Sequence, residues 1–134
     1  MTLQAAAALL STAVLFGGSI LYSFGFAAFV FTALPAETAG PLIRRAFPFF
    51  YLFVLATSAI AAAFAIAGDA LSAAILAGIA ATTLYARQVL MPAINRATDA
   101  GEKRRFSVLH GFSVAITLAH IAGAAVVILR LAAS

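Results

Sequence analysis

One uncharged run does most to decide what this chain can become. From Met1 to Ala36 there is no Asp, Glu, Lys or Arg, and the stretch from Ala5 to Leu34 is almost wholly apolar. A helix rises about 1.5 Å per residue, so roughly 20 such residues cross a hydrocarbon core of ~30 Å. Three more runs are long enough, at about residues 47–68, 71–90 and 108–129. Composition agrees: 65% of residues are hydrophobic and 9% charged, where a soluble domain is about one-quarter charged. The expected architecture is all-α, a polytopic membrane protein forming a single domain. Its spans lie at about 5–34, 47–68, 71–90 and 108–129 and make a four-transmembrane-helix bundle. The first run is expected to be a true span that tilts or protrudes, not a cleaved signal. No basic residue precedes its core, which far exceeds the about 7–15 residues of a signal core.

The basic residues orient the spans. PAETAGPLIRRAFP follows span one and carries Arg44 and Arg45; it reads as a short interfacial helix, with Pro48 opening span two. NRATDAGEKRRFS follows span three and carries Arg96, Lys103, Arg104 and Arg105, with Arg87 just inside the span end. The opposite side has only Arg130. The positive-inside rule places both long loops in the cytoplasm and both termini outside. The tight turn at Gly68–Asp69 is then outside as well, with Asp69 capping the next helix. The net charge of +4 reads as attraction to anionic lipid headgroups, and nucleic acid is not expected as a partner. Cysteine is absent, which removes disulfides, thiolate catalysis and Cys-based metal sites.

Lipid gives helices no hydrophobic drive to associate, so small residues are expected at their contacts. Rows at four-residue spacing occur at Ala13 and Gly17, at Ala59, Ala63 and Ala67, at Ala73, Ala77 and Ala81, and at Ala115, Ala119 and Gly123.

Chemistry-bearing residues are few. At 100° per residue, His110, Ser113, Thr117 and His120 share one face of span four, which should look into the bundle. One reading is a haem or copper site, because imidazole is the commonest metal ligand. The two histidines lie about 15 Å apart along the axis, so each needs its own site, and Met91 is a candidate partner for His110. The plainer and favoured reading is hydrogen bonding between helices. Tyr51 suits the membrane interface, whereas Tyr22 and Tyr85 lie deeper, with hydroxyls able to join the polar face. Arg87 is expected to snorkel to the headgroups. The acids Glu37, Asp69, Asp99 and Glu102 all lie outside mid-membrane, so no carboxylate relay for ion-coupled transport is visible. No nucleophile–base pair or phosphate loop can be assembled, and an enzyme is the least supported class.

Three stretches together resemble the transmembrane protein 205-like family, a domain of unknown function among small four-helix membrane proteins. They are LYSFGFAAFVFTALP running into AGPLIRRAFPFFY, then LYARQVLMPAIN, then RRFSVLHGFSVAITL. The resemblance implies a four-helix membrane protein in which Arg44, Arg45, Pro48, Tyr51, Pro92, Asn95, His110 and Ser113 are family features. The chain departs from that family in lacking Trp and in reading FPFFY where a second tyrosine is common. The expected role is a non-catalytic accessory or assembly subunit in the bacterial inner membrane, working through a membrane-protein partner or a second copy. Two alternatives stand beside it: a haem- or copper-binding protein using His110 with His120 or Met91, and a protein that lets a small solute or metal ion permeate.

Overall fold

The computed structural model describes all residues from Met1 to Ser134 and is entirely helical. Four long helices make it up: α1 (Leu3–Ala33), α2 (Ala36–Ala65), α3 (Ala70–Asp99) and α4 (Lys103–Ala133). Each is long and apolar enough to cross a bilayer. They run up and down in sequence order; neighbours pack on one another, and α4 closes the ring against α1.

Local chemistry sets the boundaries. Thr2 caps α1, its hydroxyl accepting from the Ala5 N–H at 3.0 Å. Pro35 ends α1, because the residue before proline is driven extended, and Leu34 has φ −121° and ψ 151°. The interfacial helix expected before span two is not separate: α2 runs from Ala36 through Pro41 and Pro48 without a break. Proline removes one ladder hydrogen bond, but buried helices tolerate this where neighbours re-satisfy the freed groups. Asp69 caps α3 as expected, accepting from the Ser72 N–H at 3.2 Å and from the Ser72 hydroxyl at 2.7 Å.

Helix α3 continues well past Leu90, where span three was expected to end. Wide π-type turns interrupt two of the helices, Leu21–Phe26 in α1 and Ala86–Leu90 in α3. The second explains why Pro92 does not stop α3. The Met91 N–H bonds to Ala86, five residues back, so the missing N–H of Pro92 falls where the ladder changes step. The hydrophilic stretch is therefore mostly helix, and its turn is short. Gly101 takes φ +70°, and the Gly101 and Glu102 N–H groups bond back to Thr98 and Ala97 at 3.1 and 3.0 Å. That pairing closes a helix C-terminus and favours glycine.

The core is built around Leu15, Val54, Leu76 and Val127, each at most 2% exposed. Hydroxyls fill much of the remaining interior: Thr12, Ser58 and Thr83 are fully buried and donate to carbonyls of their own helices. The small-residue rows expected at helix contacts point elsewhere. Ala13, Gly17, Ala59, Ala63, Ala67, Ala77, Ala81, Ala115 and Ala119 are all exposed. Of those rows, Ala73 is buried, and Gly123 meets α3 closely, where an added Cβ would lie 3.3 Å from Ile75. The inner faces use Ser58, Ala61 and Ala65 of α2 and Ala124 and Val127 of α4 instead.

Two bidentate ion pairs hold α3 at its ends. Arg44 of α2 grips Asp99 through both guanidinium nitrogens, at 2.7 and 3.0 Å. At the other end Arg130 of α4 grips Asp69 at 3.1 and 2.9 Å. Such forks add geometric specificity to a charge pair. The Arg130 hydrogen bond, aided by Ser72, holds the Asp69 carboxyl well below the usual carboxylate range. A depressed folded-state pKa stabilises above the unfolded value, about 3.9, and loses that contribution as pH falls through the folded value. The melting temperature in detergent is thus expected to fall below about pH 4, and Asp69→Asn should remove part of that fall. Equal acid sensitivity in the two proteins would exclude Asp69 as its source.

Candidate functional site at the aromatic cluster and the buried histidine

The wide turn Leu21–Phe26 presents Tyr22 to α2. Its ring lies flat on Phe50, with centroids 4.1 Å apart and 7° between planes. Phe26 stacks on it at 5.6 Å, and Phe47 meets it edge-on at 5.5 Å. Tyr51 joins through Phe47 and Phe50, at 5.5 and 5.8 Å. Offset and edge-to-face pairs of this kind stabilise beyond the area they bury. The sequence RRAFPFFY thus faces two ways. Phe50 and Tyr51 are buried and Phe47 is half-buried, while Phe49 is 75% exposed. Tyr51 is therefore a core residue of the cluster and not an interfacial anchor.

Arg87 reaches the same motif from α3, its Nε donating to the Pro48 carbonyl at 3.3 Å. A side chain expected to snorkel is thus tied through its Nε to a neighbouring helix. Residues of the first wide turn and of Phe47–Tyr51 come together here, and Arg87 reaches them from the second wide turn, Ala86–Leu90. Turns of this kind occur frequently at functional sites. Two buried hydroxyl oxygens, Ser19 Oγ and Tyr22 Oη, have no hydrogen-bond partner. Pro92 and Asn95 are half-exposed farther along α3.

The polar face of α4 divides. His120 is 8% exposed and Ser113 is 9% exposed, and Thr117 is half-buried. The Ser113 hydroxyl donates to the His110 carbonyl at 2.7 Å. His120 Nε2 lies 2.6 Å from the Thr82 hydroxyl of α3, which also sits 2.8 Å from the Gly78 carbonyl. A hydrogen bond joins the hydroxyl and the imidazole Nε2, and the His120 Nδ1 carries none. His110, by contrast, is exposed and stacks on Phe106 at 5.4 Å. Met91 is half-buried against the core. The three residues considered as cofactor ligands do not share a site, since His110 faces out and His120 faces in. No three His, Asp or Glu side chains converge anywhere in the fold. Tyr85 is 45% exposed, its ring edge-on to Phe112 at 6.5 Å.

Sequence reasoning missed the partners. Thr82 and Asp99 are polar residues in helical or loop context, and nothing local ties them to His120 or Arg44, which are 38 and 55 residues away. Asp99 gives Arg44 a structural task that Arg45 lacks. Lysine keeps the charge but cannot reproduce the fork. Arg44→Lys is expected to lower the melting temperature and Arg45→Lys to leave it nearly unchanged, with membrane orientation preserved in both. Paired thermal melts and a topology reporter check this.

Residues 10–103 match the family described as Domain of unknown function (DUF4149). No curated protein and no solved structure matches the chain. The match takes in the Tyr22 cluster, RRAFPFFY, both wide turns and Asp99, and stops as α4 begins, before Ser113 and His120. With most of its length inside that match, the chain belongs to the DUF4149 family, whose domain has no known function.

Proposed function

We propose that this chain is an integral membrane protein acting through other membrane proteins, as a non-catalytic accessory or assembly subunit. One observation carries the reading: most members of the small-residue rows face outward, Ala13 and Gly17 on α1, Ala59, Ala63 and Ala67 on α2, Ala77 and Ala81 on α3, and Ala115 and Ala119 on α4. In lipid, such rows are what lets a second helix approach closely. The interior supports it, because the buried hydroxyls of Thr12, Ser58 and Thr83 are engaged by carbonyls of their own helices and the buried imidazole of His120 by Thr82 of α3. The basic ends of α2 and α4 favour a bacterial inner membrane orientation with both termini outside and both basic turns cytoplasmic. Kinship with the transmembrane protein 205-like family fits RRAFPFFY and LYARQVLMPAIN, which the DUF4149 match includes, and FSVLHGFS, which lies beyond it.

Affinity purification of the tagged chain at native expression in mild detergent is the test. A stoichiometric membrane partner is expected, and Ala63→Leu on the outward row of α2 should lose it while helical content stays constant. A lone wild-type monomer would overturn the reading. A second reading, one haem or copper ion, rests on the buried His120 and its unbonded Nδ1. The absorption spectrum and metal content of purified protein decide it; no Soret band and no bound metal would end it.

A further inference from the structure

Outside the aromatic cluster, the most strongly charged surface lies where α4 begins. A shallow, open concavity there is lined by Glu102, Lys103, Arg104, Arg105, Val108 and Leu109. Lys103 and Arg104 are exposed and make no ion pair, and Arg105 reaches Glu102 only at 3.9 Å. One helical turn further on, Val108 is 65% exposed directly below Arg104, and Leu109 lies below Arg105. Cations over an apolar floor match a molecule that has an anionic head and a hydrocarbon tail.

We propose that this concavity binds an anionic phospholipid, with Lys103, Arg104 and Arg105 on the phosphate and Val108 and Leu109 against an acyl chain. Free phosphate would use the cations but not the floor. Depth agrees as well, because the charges stand where the apolar part of α4 starts, at the level of headgroups. The site differs from general attraction of a basic surface to a membrane. Arg45, on α2, is not among the residues that line the concavity. The proposal rests on the membrane reading; failure of that reading would show separately, as chain recovered from the soluble fraction.

The test is native mass spectrometry of the full chain in detergent, given equal phosphatidylglycerol and phosphatidylcholine. Retention of phosphatidylglycerol is expected to exceed that of phosphatidylcholine about tenfold, given the attraction of each basic residue for an anionic surface. Combined Lys103→Gln, Arg104→Gln and Arg105→Gln should abolish the preference, and Arg45→Gln should keep it. Val108→Asn leaves every charge in place and should still weaken retention severalfold. Equal retention of the two lipids would overturn the proposal, as would a preference surviving the triple substitution. So would full retention in Val108→Asn, or complete displacement by millimolar inorganic phosphate, which would mark a phosphate site.

Discussion

Phe50→Ala is expected to destabilise the bundle by about 3–5 kcal/mol, the range for removing a buried aromatic ring. Phe50 is 7% exposed and lies flat against Tyr22 at 4.1 Å, with Phe47 and Tyr51 at its edges. Its removal opens a void and also ends the flat stack between the wide turn of α1 and α2, leaving the edge contact of Tyr22 with Phe47. The neighbours cannot fill the gap by a simple rotation, because Tyr22 is already held between Phe26 and Phe47. Equilibrium unfolding in mixed detergent measures the loss, and Phe50→Leu should recover part of it. A cost under about 1 kcal/mol would mean that the stack contributes little beyond lipid contact.

Leu76→Ala is the second large effect, at about 2–5 kcal/mol. Leu76 is 0% exposed and belongs to the main buried cluster with Leu15, Val54 and Val127. Leu71, on the same helix, is 53% exposed. Leu71→Ala should therefore change stability by no more than about 0.5 kcal/mol. The contrast tests which face of α3 is interior. Equal costs at the two positions would contradict the packing described for this helix.

That contrast also marks where the sequence is legible and where it is not. Four helices long enough to cross a bilayer follow from run length alone, and the Asp69 cap follows from its position after Gly68. The inner face of each helix does not follow, because helices that are apolar all round carry little periodicity to read. Rows such as Ala59, Ala63 and Ala67 therefore look like bundle contacts, yet Ser58, Ala61 and Ala65 hold those places. Helix ends are obscured by proline: Pro48 suggests the start of span two, but α2 runs through it and through Pro41, as α3 runs through Pro92. For the candidate site, RRAFPFFY is a run that the sequence makes conspicuous. Its internal division, with Phe50 and Tyr51 inward and Phe49 outward, depends on the turn at Leu21–Phe26, which no local pattern announces. On α4, Ser113 and His120 are buried as their shared arc suggests, and His110, nearer the start of the helix, is exposed.

The two arginine forks have a mechanical consequence for α3. Asp69 stands immediately before its first residue and Asp99 is its last, and each is clasped by a different neighbouring helix. Sliding by one turn, about 5.4 Å, would break both clasps together. A rod fixed at both tips can still bow or twist between them. Along α3 the wide turn at Ala86–Leu90, which already departs from the regular ladder, is the place where such bending concentrates, and Arg87 within it ties that motion to Pro48 and the aromatic cluster.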